Sequence, residues 1–172
     1  MSWLVFVELS AAFVLAFFIS SLAEYVVHRL MHTGLINANI HADHHKEGGA
    51  QGWFLEFKDY IVPPIPAIVG VSALLWYFEL PVAAASFAAG VVIYGSLAAY
   101  AHQLQHDNPD LCFWLPQPVH FTHHQDKMWH HNFGILVDFW DRVFGTYKST
   151  DYLPGEKIYE YPLSAYFKIK WF

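Results

Sequence analysis

Long apolar runs alternate with shorter polar stretches along this chain. The first run covers residues 3–27, and two more, residues 61–80 and 81–102, follow each other directly with Pro81 at their junction. About 20 apolar residues in a helix span a hydrocarbon core of about 30 Å, and a proline marks a turn between consecutive helices. The pattern therefore predicts three transmembrane helices, the last two of which form a hairpin.

Composition supports a membrane protein. Of the 172 residues, 55% are hydrophobic and only 14% are charged, which is too apolar for an ordinary soluble domain of this length. We expect one all-α integral membrane bundle covering residues 1–172. The net charge of −6 and the nine basic residues argue against a nucleic-acid partner. The lone Cys112 excludes an internal disulfide and a cysteine-based metal site.

The basic residues predict the orientation of this bundle. With three spans, all nine lysines and arginines fall on the same side of the membrane, in residues 28–60 and 103–172. Because cytoplasmic flanks are enriched in lysine and arginine, we expect a multi-pass protein with an external N-terminus. Residues 28–60 and 103–148 would then form a cytosolic helical cap. Residues 149–172, which end in LSAYFKIKWF, resemble an interfacial segment with aromatic rings in the lipid boundary.

Histidines are concentrated in this predicted cap. The pattern HxxxH occurs at the end of the first and third spans, and each occurrence is followed by an HxxHH unit. Residues at i, i+3 and i+4 share one face of a helix, so each unit presents its imidazoles together. The four units contain ten of the twelve histidines, namely His28, His32, His41, His44, His45, His102, His106, His120, His123 and His124.

A metal centre explains this clustering better than a solvated surface. A single HxxxH pair is most often a solvated face, but such faces use lysine, glutamate and glutamine rather than four recurring histidine units. Buried neutral imidazoles need partners for both ring nitrogens. Ten are too many for one ion and suit two. We therefore predict a dimetal centre, although imidazole alone does not decide between iron, zinc, copper and nickel.

Four carboxylates lie close to these units in the sequence. Asp43, Glu47, Asp107 and Asp126 are candidates to accept the second N–H of ligand histidines and to offset the metal charge. Taken singly, each is about equally well explained as a solvated loop acid. The motif HExxH, which would supply the base of a zinc protease, is absent from the sequence.

The order of the histidine units carries a family resemblance. HxxxH, HxxHH, HxxxH and HxxHH, followed by NFGILVDFWDRVFGTY at residues 132–147, resemble the fatty acid hydroxylase/sterol desaturase superfamily of integral membrane non-haem di-iron enzymes. The resemblance covers roughly residues 20–148. Bacterial-type carotenoid hydroxylases are also similar in length and histidine spacing, but they usually lack the WDRVFGTY ending and rank second.

The resemblance implies metal ligands and structural residues. All ten histidines of the four units would be ligands and would form the catalytic site. His130 and His131 could be outer-shell groups, a substitute ligand or merely polar residues. In the tail, residues 132–147, the resemblance implies that two residues, Asn132 and Gly134, allow a tight backbone approach. Three others would lock the cap against the bundle, namely Trp140, Asp141 and Arg142.

The resemblance also implies a reaction. Two iron ions, which zinc can replace in recombinant protein, would activate O2 as co-substrate to hydroxylate or desaturate an unactivated C–H bond of a membrane lipid, such as a fatty acyl chain or sterol-like lipid. The electrons would come from a separate donor of the cytochrome b5 or ferredoxin type. The alternatives are a carotenoid ring hydroxylase and a non-enzymatic membrane protein that binds or transports metal. A bis-histidine haem cytochrome would not need the HxxHH units, and a transporter would carry ligands inside its spans.

Overall fold

Helices make up the regular structure of the chain. The computed structural model describes residues 2–153 and 161–172, and within them we find no β-strand. These described residues form two 3₁₀ helices, Pro109–Leu111 and Leu163–Phe167, and seven α-helices in the order α1 Trp3–Thr33, α2 Ala38–Glu47, α3 Trp53–Ile61, α4 Ile65–Tyr77, α5 Pro81–Asp107, α6 Val119–Gln125 and α7 Phe139–Val143. The predicted all-α class is therefore confirmed.

Two of these helices, α1 and α5, are each long and apolar enough to cross a membrane. They continue past the apolar runs and carry both HxxxH units on their last turns. The predicted second span, residues 61–80, is helical over α4, whose 13 residues are too few to cross the membrane alone, and α4 counts as a third span only together with α3, from which it is bent by 51° at a break. The break has a local cause, because the consecutive prolines Pro63 and Pro64 cannot continue the hydrogen bonding of α3.

The central helix of the bundle is α5, which packs against α1, α3 and α4. Small residues bring α5 and α1 close together: a Cβ added at Gly90 would lie 2.8 Å from the Cβ of Ala16. Ser86 and Glu8 join the same two helices by hydrogen bonds, since the Ser86 hydroxyl donates to the Leu9 carbonyl and the Ala83 N–H donates to the Glu8 carboxylate. Small residues and such bonds are the usual means of helix association in lipid.

Residues 161–172 pack against the bundle. Ala165 and Ile169 are buried beside Leu104 of α5. The first N–H groups of α3, at Trp53 and Phe54, donate to the carbonyls of Lys170 and Trp171. Because the first turn of a helix leaves its N–H groups without intrahelical partners, this segment acts as the cap of α3. Residues 154–160 of the predicted interfacial segment lie outside the described residues.

Gly52 permits this capping arrangement, and its replacement is our first prediction. Its φ is +114°, and an added Cβ would lie 3.0 Å from the backbone carbonyl carbon of Phe172. Gly52→Ala should therefore destabilise the fold by about 1–3 kcal/mol and expose α3 to hydrogen exchange, because a left-handed conformation is strained for alanine. Gly70→Ala is the control, since nothing lies within 4 Å of its Cβ position. Equal exchange of α3 in both variants would contradict the capping role.

Candidate metal centre

Four helices bring the predicted histidines together. The end of α1 supplies His28 and His32, which lie one turn apart, and the end of α5 supplies His102 and His106 in the same way. The two HxxHH units lie on the short helices α2 and α6. The Glu8–Ala83 and Glu24–Tyr94 hydrogen bonds show that α1 and α5 run side by side in the same direction, so their last turns lie at the same end of the bundle, and α2 and α6 lie over that end.

The first histidine group contains five potential ligands: His28, His32, His41, His45 and His123. One nitrogen from each lies within 4.8 Å of the others. The Nε2 atom of His32 lies 2.8 Å from Nε2 of His41 and 2.9 Å from Nε2 of His123. The Nε2 atom of His45 lies 3.1 Å from that of His41. The imidazoles of this group therefore point at one common centre.

The second histidine group contains four potential ligands: His44, His102, His106 and His120. The Nε2 atoms of His106 and His120 are 3.2 Å apart. His124 belongs to neither group by nitrogen distance and lies between them: its ring is stacked 3.9 Å from the ring of His45 and meets that of His120 edge-on at 4.5 Å. Thus α2 contributes to both groups through the adjacent His44 and His45, and α6 contributes to both through His120 and His123.

The second ring nitrogen of several ligands is bonded to the backbone. Nδ1 of His28 donates to the Phe133 carbonyl and Nδ1 of His123 to the His131 carbonyl, both at 2.6 Å. Nδ1 of His44 donates to the Gly49 carbonyl at 3.1 Å, and Nδ1 of His106 to the Gly48 carbonyl at 3.3 Å. A carbonyl oxygen can only accept, so Nδ1 holds the proton and Nε2 keeps its lone pair in each ring.

These lone pairs are suited to a cation. Burial lowers the pKa of His44, His45 and His123 to about 4, so the three rings are neutral near pH 7 and available as ligands. The buried Nε2 atoms of His28 and His44 have no hydrogen-bond partner among the described residues. The Nε2–Nε2 distances of 2.8–3.2 Å are close to the separation of roughly 3 Å between two nitrogens bound at right angles about 2.1 Å from one ion. The residues therefore fit two metal positions.

The carboxylates predicted to support the ligands do not do so. Asp43 forms an exposed ion pair with Lys46, and Asp107 accepts from Gln103 and from the Lys170 N–H. Within residues 2–153 and 161–172, none of the four predicted acids accepts a hydrogen bond from a histidine, and that prediction is wrong. Backbone carbonyls take this place because they lie in the turns that follow α2 and α6.

A different acid, Glu56 on α3, was missed from the sequence. Its Oε2 atom lies 2.6 Å from Nδ1 of His102, and its side chain is buried. The sequence signal for it was its position in the apolar stretch WFLEF, because an acid among apolar residues needs a partner when it is buried.

The segment after α6 packs against the first histidine group. Asp141 is fully buried and accepts from the N–H groups of Phe133 and Gly134 and from the Thr146 hydroxyl. A Cβ at Gly134 would overlap the Val137 carbonyl, so the tight approach predicted there is confirmed. Asn132 adopts a φ of +60° and binds both backbone groups of Lys148, as a tight approach also requires.

The tryptophan and the arginine of the tail behave differently. The Trp140 indole donates to the Ser21 hydroxyl of α1 and packs on Phe18, so its predicted locking role is confirmed. Arg142 instead pairs with Asp138 and stacks over Tyr147, both within its own segment, and does not lock the cap to the bundle. His130 is exposed, and His131 contributes its backbone carbonyl to His123.

Comparison with known proteins identifies the family of this chain. The sequence model of the family described as fatty acid hydroxylase matches residues 13–146, which include the nine histidines of the two groups and also His124. Searches of curated proteins and of solved structures found no match. The family match covers most of the chain and ends within the segment that carries Asp141. This chain therefore belongs to the fatty acid hydroxylase family.

Proposed function

We propose that the protein is an O2-dependent di-iron enzyme that hydroxylates or desaturates a membrane lipid such as a fatty acyl chain or sterol-like lipid. The family is a group of hydroxylases and desaturases that oxidise lipids. The observation that carries the proposal is the convergence of Nε2 lone pairs in two adjacent histidine groups. Iron bound there would supply the activation of O2 that oxidation of an unactivated C–H bond requires.

The histidines divide the task of holding two ions. The first group would hold one ion through His28, His32, His41, His45 and His123, and the second would hold the other through His44, His102, His106 and His120. His124, whose ring lies between the groups, would complete the second set. The backbone carbonyls fix the rings of His28 and His123 before metal binds, which reduces the ordering that binding requires.

An apolar groove supports a lipid substrate. A groove of about 520 Å³ runs along α1 between Phe13, Phe17 and Phe18 on one side and Val137 and Phe139 on the other. It lies on an apolar helix that is long enough to span the membrane, so a lipid in the bilayer reaches it without crossing water.

Val137 and Phe133 connect the groove to the first histidine group. Val137 packs against the buried cluster that contains Phe133, and the Phe133 ring lies 5.7 Å from the ring of His28. Phe133 also packs against the rings of His32 and His123 and excludes water from that side of the first group. An acyl chain in the groove would therefore approach the first group from the apolar side.

The reaction requires electrons that the lipid does not supply. Hydroxylation consumes the C–H bond, O2, two electrons and two protons and gives an alcohol and water. We propose a separate one-electron donor protein of the cytochrome b5 or ferredoxin type.

The proposed activity is tested by product analysis. Cells that express the full chain with an electron donor of either type should contain a lipid that has gained one oxygen or lost two hydrogens, as detected by mass spectrometry. The product should disappear in His44→Ala and persist in His130→Ala, because His130 is exposed and outside both groups. A modified carotenoid would favour the ring hydroxylase instead. No mass change in any lipid, sterol or carotenoid would favour a metal-binding or transport role.

Orientation is a separate prediction. We propose that the histidine end of the bundle faces the cytoplasm, because the lysines and arginines lie near that end. In intact cells, a tag placed before Trp3 should be cleaved by external protease, whereas a tag placed after Phe172 should be protected. Protection of the first tag with cleavage of the second would reverse the orientation.

A further inference from the structure

Glu56 distinguishes the two histidine groups. It lies on the first turn of α3, where it is 3% exposed, and its two carboxylate oxygens have different partners. Oε1 accepts the Gln51 N–H at 3.1 Å, and Oε2 lies 2.6 Å from Nδ1 of His102. In the described part of the chain, this is the only carboxylate within ion-pair distance of a histidine.

Among the described residues, the ligand rings of the first group donate only to neutral acceptors. Its rings His28 and His123 donate to backbone carbonyls. A carboxylate that accepts from the Nδ1–H of a ligand imidazole makes Nε2 a stronger donor to the metal and offsets part of the metal charge. A carbonyl orients the ring but brings no net charge. With both ions bound, the two positions would therefore be unequal in charge, because a carboxylate lies beside a ligand of the second group.

Hydrogen bonds between α3 and α5 hold Glu56 next to His102. The Gly52 N–H, at the start of α3, donates to the side-chain oxygen of Gln103, which is the residue next to His102 on α5. The Trp53 indole donates to the Ser96 carbonyl, about two turns before His102 on α5. These bonds hold the start of α3 against α5 at residues before and after His102, so the carboxylate is placed before any metal arrives.

We propose that Glu56 is a positioning residue that makes the second histidine group the tighter of the two metal positions. It acts through His102 and does not itself touch the metal. The inference rests on the proposed metal binding, and it predicts a measurable inequality between positions that are built from the same residue type.

The test compares Glu56→Gln with Asp59→Asn in the full chain in lipid nanodiscs. Glutamine keeps the size of the side chain and an acceptor oxygen but removes the charge. Asp59 is an exposed acid one turn later on the same helix, so its amide is the matched control. Both variants and the wild-type chain are loaded with Co²⁺, whose visible absorption reports its ligands, and are titrated with a chelator. His32→Ala and His120→Ala assign the two release steps to the first and second groups.

The wild-type chain should release the cobalt of the second group last. Glu56→Gln should weaken that step by about 10–100-fold, as loss of such a partner typically does, and should change its absorption band. The first step should change by less than about 3-fold, and Asp59→Asn should alter neither step. Equal weakening of both steps, or no change in either, would overturn the inference while leaving the proposed function intact. A wild-type chain that binds no cobalt would overturn both.

Discussion

Replacing His123 with alanine is expected to reduce lipid oxidation by at least about 100-fold and to remove one metal ion per chain. The His123 side chain is fully buried, and its Nε2 atom lies 2.9 Å from that of His32 and 3.2 Å from that of His45. The substitution removes one of the five nitrogens of the first group. Because the position is buried, water from the surface does not take the place of the lost imidazole. Even loss of a group that only supports a ligand costs about 10–100-fold in affinity or activity, so loss of a ligand should cost more.

His130→Ala provides the control for this effect. His130 is exposed, lies seven residues from His123 and belongs to neither histidine group. Its replacement should leave the metal content and the activity within about 2-fold of wild type. Metal per chain by elemental mass spectrometry and product formation should be measured on the same preparations, together with helical content by circular dichroism. Equal losses in both variants would show that the histidine groups do not define the site.

Asp141→Asn is expected to destabilise the protein by about 3 kcal/mol. The Asp141 carboxylate accepts from the Phe133 and Gly134 N–H groups at 2.9 and 2.7 Å and from the Thr146 hydroxyl. The amide of asparagine turns an N–H₂ group toward at least one of these donors and leaves it unsatisfied in a buried site. An unsatisfied buried donor costs about 1–3 kcal/mol, and hydrogen bonds to a charged group are among the strongest.

The same substitution should weaken metal binding at a distance. The Phe133 carbonyl accepts from Nδ1 of His28, and the Phe133 N–H donates to Asp141. Loss of the bond to Asp141 therefore loosens the backbone that orients a ligand of the first group. Unfolding in detergent should show the lost stability, and a chelator titration should show earlier release from the first group. Asp126→Asn, at an exposed acid near His123, should change the free energy of unfolding by less than about 0.5 kcal/mol. Equal effects of the two variants would contradict the role of Asp141.

Local sequence rules were sufficient for the histidines. The spacing within HxxxH and HxxHH fixes which rings share a helical face, and apolar runs fix where α1 and α5 lie. The same rules did not predict which ring joins which group. His44 and His45 are adjacent on α2 but belong to different groups, and this depends on how α2 lies across the ends of α1 and α5. Tertiary packing alone decides that choice.

The supporting contacts were beyond the sequence for a different reason. Backbone carbonyls of Gly48, Gly49, His131 and Phe133 orient the ligand rings, and a carbonyl is present at every residue, so it leaves no mark in the sequence. The prediction from the sequence named acidic side chains near the histidine units instead. The prolines at the start of the second apolar run are visible in the sequence, and they separate α3 from α4, so the helix within that run is shorter than the predicted span.

The iron content of the reconstituted chain tests the central claim most directly. Purified wild-type protein is loaded with ferrous iron without oxygen, freed of excess metal and compared with the double variant His120→Ala, His123→Ala by elemental mass spectrometry. Two histidine groups that each hold one ion predict about two iron ions per wild-type chain and almost none in the double variant. Fewer than about one ion per wild-type chain, or two ions that persist without His120 and His123, would contradict a metal centre built from these histidines.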